Sequence, residues 1–221
     1  MSFGPKAWKN APDNTTPLSA AALIDLETRL SNYTDAEVAA LLGTLQVVEV
    51  NALPGSPVDG QQVDYYPSGT IGTGVCWRCT WRDALNGGVG AWLVHGGAPL
   101  VALTAGQSTR TNTTYGALAD GAGPSLVVPV KGVYDITIEV GEMWSSVGGD
   151  YAAASYSGAG ITASDAHAAI QGAINNRVSV TTTFRQTVTA GTITAVYRTN
   201  AAATVSAAKR RLTAWPIELR P

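Results

Sequence analysis

Cys76 and Cys79 are the two thiols of the 221-residue chain, and they sit in the stretch "GVCWRCTWRD". A Cys-x-x-Cys serves as a redox couple or as half of a zinc site, and both uses need the two sulfurs on one side of the backbone. The stretch reads as a strand, in which side chains alternate faces. Val75, Trp77, Cys79 and Trp81 then share one face, and Cys76, Arg78, Thr80 and Arg82 the other. The sulfurs point apart. Redox pairs of this spacing usually sit at a helix N-terminus that stabilises the thiolate. Zinc would need two more ligands, and the chain offers only His95 and His167, which are not in ligand spacing. The expectation is a half-buried strand whose tryptophan face packs on a hairpin partner carrying Trp92. Free cysteines suit a chain assembled in a reducing cytoplasm.

Acid–base chemistry gets a similar answer. Asp135 and Glu139 share a strand face, but four residues along a strand span about 13 Å. Glycosidase carboxylates stand roughly 5–9.5 Å apart. Glu142 and Asp150 are close in sequence, with no spacing that selects them. "GQSTR" and "SYSGAG" lack the strand–elbow–helix context of a hydrolase nucleophile. "GGDYAAASYSGAG" has no following Lys-Ser/Thr and does not read as a phosphate loop. His167, two residues after Asp165, reads as a surface residue of a short helix. Lys209–Arg211 reads as solvated strand positions with one salt bridge, or as a cluster that pairs with a neighbouring copy. No cofactor is implied.

The elements around these residues follow from periodicity. Thr16-Pro17 reads as an N-cap with proline at the first helical position. Leu23, Leu26, Leu30 and Tyr33 follow as a narrow apolar seam about two heptads long. "TDAE", from Thr34 to Glu37, is a capping box for a second short helix ending near Gly43. From about Val47 the period changes to two. "QVVEV", "QQVDYYP", "GVCWRCTWR", "GAWLVHGG" and "PLVAL" are short β-like runs between turn signals, and Asn86-Gly87 predicts a hairpin. Residues 105–123 read as a linker or a set of loops. Beyond them "SLVVPV", "VYDITIEVGEMW", "YAAASYS", "RVSVTTTFRQTV", "GTITAVYRT" and "TVSAAKRRLTAWPIEL" are further strands, with "TASDAHAAIQGAI" expected as a short helix. The prediction is a mainly β chain in three parts. Residues 1–46 form an arm with short helices, 47–106 a small antiparallel β module, and 107–221 an antiparallel β-sandwich of jelly-roll type.

Bulk properties narrow the function. Charged residues are 14% of the chain, 24 residues are glycine, and the net charge is −2. That balance offers no field for nucleic acid. No run of about 18 apolar residues would insert in a membrane. The opening "MSFGPKAWKN" lacks the apolar core of a secretory signal. The Asn-x-Thr sequons at Asn14, Asn32 and Asn112 therefore carry little weight.

Two stretches resemble a known family. "TTPLSAAALIDLETRL" is similar to an opening found in fibre, minor tail and head-fibre proteins of tailed bacteriophages. The similarity runs through Thr16, Pro17, Leu18, Ser19, Ala20, Leu23, Leu26 and Glu27, with Asp25 where an asparagine is common. The second stretch resembles a module of the same phage proteins. It is carried by Leu53, Pro54, Pro57, Asp59, Gly60, Gln61, Val63 and Tyr65, then Gly74, Val75 and Trp77, then Trp92, Val94, Gly96, Gly97, Pro99 and Leu100. The last hundred residues look loosely like the trimeric jelly-roll heads of such proteins, of tumour-necrosis-factor type. The resemblance implies a non-enzymatic virion structural protein, assembled in the host cytoplasm as a homotrimer. It would be a minor tail or fibre protein, or else a capsid-attached head fibre or decoration protein, contacting other virion proteins. Trp8, Leu23, Leu26, Leu30 and Tyr33 are the expected trimerisation and attachment residues. The polar stretches 107–116 and 148–160 are the candidates for contact with a host-surface glycan. The rival from another class is an enzyme cleaving envelope glycan, which would need two carboxylates converging in one groove.

Overall fold

The computed structural model describes Thr28 and residues 47–121, 123–148, 150–172, 176–201 and 203–220. The expected N-terminal helices, with Trp8, Leu23, Leu26, Leu30 and Tyr33, lie outside the described residues. Val47–Pro221 forms one compact unit, and it is built of strands. Among the described residues no helix is long and apolar enough to cross a membrane.

One sheet begins with β1 (Val48–Val50), β2 (Gln62–Tyr65), β3 (Trp77–Arg82) and β4 (Ala91–Gly97). It continues through β13 (Val205–Leu219) and β8 (Gly132–Ser145) to β11 (Val178–Val188). β5 (Leu100–Thr104) and β6 (Ser108–Arg110) also pair with β13. The second sheet runs β10 (Ala169–Gln171), β9 (Ala152–Gly158), β12 (Gly191–Thr199), β7 (Ser125–Val128). The β1–β2 pair is parallel; the other strand pairs are antiparallel, and the arrangement is sandwich-like.

Alternation explains the core. On β8, Tyr134, Ile136, Ile138 and Val140 are fully buried, while Asp135, Thr137 and Glu139 remain partly exposed. Residues opposite one another on the outer face are chemically matched, the unit of sheet stabilisation. Asp135 faces Arg185, and Thr137 faces Thr183, their hydroxyls 2.7 Å apart. Glu139 faces Arg211 on the other side. The buried face of β8 shares one apolar cluster with Tyr156, Ile193 and Tyr197 of the second sheet.

β13 is the spine. One edge follows β8 along its whole length. The other edge takes β6, β5 and β4 in turn. The division expected between residues 106 and 107 therefore falls inside one sheet, since β4, β5 and β6 are neighbours of the same strand. Trp77 of β3 also meets Tyr134 of β8 edge to face, with ring centres 6.5 Å apart. Near its middle β13 holds Lys209 in a left-handed conformation, φ 52°. The residue across from it is Gly141, where a Cβ would come within 2.9 Å of the Lys209 Cβ.

Three expectations change. "TASDAHAAIQGAI" is not a helix: it holds a single 3-10 turn, Asp165–His167, followed by β10. Ser164 caps that turn, its Oγ accepting from the Ala166 N–H at 3.1 Å. The segment then pairs with β9, because sheet hydrogen bonds and burial of Ala169 and Gln171 outweigh alanine's helix propensity. His167 is buried, its ring 4.9 Å from that of Tyr156. Arg210, in the middle of the basic triplet, is buried as well. The triplet's three cations pair within the chain, Lys209 with Glu142, Arg210 with Asp120 and Arg211 with Glu139.

Candidate functional site

The cysteines occupy the positions that strand alternation demands. Cys79 is fully buried beside the tryptophan face, and Cys76 is part-exposed. Burial pushes the Cys79 thiol up to about 12. Cys76 is also raised, chiefly by desolvation. Both shifts disfavour the thiolate, the form that acts as nucleophile or metal ligand. Among the described residues no three His, Cys, Asp or Glu side chains are grouped as a metal site would require. On the tryptophan face Trp81 lies opposite Trp92, ring centres 5.6 Å apart. The Trp77 Nε1–H donates to the Ala98 carbonyl at 2.8 Å. Gly97 lets this happen. Its φ is 129°, and a Cβ there would sit 2.1 Å from the Cys76 carbonyl oxygen. A stretch that looks like redox chemistry is a packed hairpin.

Of the carboxylates singled out by sequence, Asp135, Glu139 and Glu142 are each engaged by an arginine. Asp135 accepts two bonds from Arg185, at 2.9 and 3.0 Å, which hold its carboxyl below the usual range. Glu139 pairs with Arg211 at 3.4 Å. Glu142 lies between Lys209 and Arg177, and its carboxyl is lowered, mainly by Lys209.

A different constellation converges elsewhere, from four separate segments. Arg198 is the penultimate residue of β12. Its guanidinium carbon lies 5.3 Å from the centre of the Tyr115 ring and 5.0 Å from that of Tyr151. Its Nε–H donates to Asp165 Oδ1 at 3.0 Å. One Nη2 hydrogen goes to Asp165 Oδ2 and another to the Tyr151 hydroxyl, while Nη1 donates to the Thr199 carbonyl at 3.0 Å. The Tyr115 hydroxyl donates to Asp165 Oδ1 at 2.6 Å. The physical consequences agree: Arg198 holds the Asp165 carboxyl below its ordinary value, and Arg198 is itself raised by the same bond. Burial, then the Asp165 contact, raises the Tyr115 phenol.

Each member is placed by local structure. The Ser164 cap fixes Asp165 at the start of its turn. The Tyr151 N–H donates to the Asn200 side chain at 2.8 Å. Tyr115 rides on a loop tied to the sandwich at Gly116, which exchanges two backbone bonds with Tyr197. Within that loop Asn112 Oδ1 accepts from the Thr114 N–H and hydroxyl, an Asx turn of the kind asparagine favours. Arg110 donates to the Thr114 and Ala117 carbonyls. Farther along, Asp120 is held by the buried Arg210.

Tyr115, Asp165 and Arg198 line a surface groove of about 680 Å³. Thr113, Ser157 and Thr162 are among its other lining residues. The groove thus joins the two polar stretches singled out by sequence, 107–116 and 148–160, through the segment 161–165. Sequence reasoning missed Arg198, and it read Asp165 as part of a helix. The two residues are 33 apart, and no local pattern pairs them.

No family model matches the chain, and no curated protein sequence does. Solved structures do show likeness. One is an Eiger TNF from S. frugiperda, 13% identical, with a TM-score of 0.40 over 56% of this chain and 96% of that one.

Proposed function

We propose that this chain is a non-enzymatic structural protein of a tailed-bacteriophage virion. In this reading it is a homotrimeric minor tail or fibre protein, whose two sheets form a jelly roll displayed on the particle surface and contact host glycan. One observation carries the reading: the residues of the phage-type motif are the ones with structural work in the hairpin. Trp77 and Trp92 are buried to 1% and 0% exposure, and Gly97 makes room for the Cys76 carbonyl. The motif is therefore a packing signature, consistent with a structural module, and its charged neighbours are spent in ion pairs. The polar groove near Tyr115 supports display toward a hydroxyl-rich surface.

Antibodies raised against residues 47–221 and imaged on purified particles test the role. Label on the tail or its fibres is the expected outcome. Label on the capsid would move the protein to the head-fibre or decoration class. Particles without label would overturn the proposal. Multi-angle light scattering of the full chain is expected to give three copies, and a clean monomer at micromolar concentration would remove the trimer.

A further inference from the structure

We propose that the groove beside Tyr115 takes a neutral carbohydrate, and that Arg198 and Asp165 are positioning residues which hold its aromatic wall. The inference rests on the glycan contact proposed above and names the ligand class and the site.

The argument starts from the guanidinium. An arginine has five N–H donors and no acceptor. Four of those of Arg198 are committed: two to Asp165, one to the Tyr151 hydroxyl and one to the Thr199 carbonyl. The Tyr115 and Tyr151 rings also lie close to the guanidinium, their centres 5.3 and 5.0 Å from its carbon. The side chain is 14% exposed. A carboxylate or phosphate ligand would have to take Arg198 away from a two-point, charge-assisted pair, the strongest kind of hydrogen bond available here. It would also approach Asp165, whose ionised form is favoured. Among the described residues, Arg198 and Asp165 are the charged side chains that line the groove, and their charges cancel there.

What remains for a ligand is neutral and hydroxylic. Tyr115 is part-exposed and lines the groove. Its hydroxyl has spent its proton on Asp165, and its oxygen can still accept. Thr113, Ser157 and Thr162 line the groove with hydroxyls that have no hydrogen-bond partner among the described residues. Val196 and Ile161 add small apolar surface. A part-exposed aromatic ring in a groove also lined by rotatable hydroxyls matches a pyranose, which presents C–H patches and a ring of hydroxyls, and a site of this kind is fixed by a few placed polar groups. Asp165 and Arg198 act through the tyrosines, by clamping both phenol groups.

The experiment uses the full chain and saturation-transfer NMR, with lactose and maltotriose as neutral probes and sialyllactose and glucuronic acid as anionic ones, at low and high salt. The expected result is saturation transfer to a neutral probe that does not change with salt. Tyr115→Ala and the exposed-site variant Thr162→Val should each weaken it, the first at least tenfold. Arg198→Met should weaken it without creating salt dependence, whereas a residue that bound ligand charge would abolish an existing salt dependence. Thr162→Val also guards against misfolding, since its side chain is at the surface. Preferential binding of the anionic probes, falling as salt rises, overturns the neutral-ligand inference and leaves host-glycan contact standing. Binding of no probe, with the protein still labelled on particle exteriors, overturns the groove and leaves the virion role standing.

Discussion

Arg210 and Asp120 form an ion pair whose two halves differ in exposure, and the difference predicts an asymmetry. The Arg210 side chain is 0% exposed and the Asp120 side chain 36%. They meet at 2.6 Å, and Arg210 also donates to the Gly106 carbonyl at 3.0 Å. Asp120→Asn removes the charge that compensates a buried cation. Removing one partner of a buried pair costs about 3–5 kcal/mol. Here the asparagine keeps one acceptor oxygen and lies near water, so the expected loss is about 2–4 kcal/mol. Arg210→Met removes the buried cation and leaves a carboxylate that water reaches. The expected loss is about 1 kcal/mol, because apolar replacement of a buried ion is often close to neutral. The double variant should sit near Arg210→Met, with a coupling of more than about 1 kcal/mol. Urea unfolding of the full chain reads this through the midpoint at unchanged slope, and each kcal/mol corresponds to about 2–4 °C in melting temperature for a domain of this size. pH supplies an independent check. Arg210 holds the Asp120 carboxyl below its ordinary value. The pair's contribution is therefore complete above the ordinary aspartate value near 3.9 and is lost as pH falls through the lowered folded value. The parent and Asp120→Asn should converge in acid. An Arg210→Met variant as unstable as Asp120→Asn, or a gap between parent and Asp120→Asn that persists in acid, would refute the reasoning.

Three other outcomes are expected. Gly97→Ala should destabilise by more than about 2 kcal/mol, through its positive φ and the close Cys76 carbonyl; Gly96→Ala, with nothing within 4 Å, should cost under about 1 kcal/mol, and equal losses in thermal melts would contradict the geometry. A thiol reagent applied to the native protein should modify Cys76 slowly and Cys79 only after unfolding, as peptide mapping by mass spectrometry will show. Trp92 Nε1 finds no acceptor among the described residues, whereas Trp77 Nε1 donates to Ala98; Trp77→Phe should therefore cost about 1 kcal/mol more than Trp92→Phe, the net worth of one hydrogen bond, measured as paired urea midpoints.

The strands were legible because their signals are local. On β8 the alternation from Tyr134 to Val140 states the register and the buried face in seven residues. The cysteines separate on the same rule. Arg210 shows that rule left unused: if Lys209 and Arg211 point to solvent, the residue between them points inward, and a buried arginine follows with a carboxylate to find. The 3-10 turn at Asp165 was hidden because alanines favour helix in isolation, and only the β9 edge reverses the preference. The groove was half legible. Its threonines and tyrosines belong to stretches whose composition marks them as loops, but Arg198 meets Asp165 through the crossing of strand ends, and tertiary crossings leave no periodic trace.

β13 carries a consequence for biosynthesis. It leaves the ribosome after every strand it joins, so β4, β5, β6 and β8 wait with open edges until residues 205–219 emerge. Pairings this distant in sequence form slowly, and chains that expose unpaired edges are prone to aggregate. Among the described residues, a nascent chain stopped before β13 has no strand pairing between the β3–β4 hairpin and β8, only side-chain contact such as that of Trp77 with Tyr134. Closure of the sheet thus waits on its last strand, and products truncated before Val205 are expected to be proteolysed faster than the full chain.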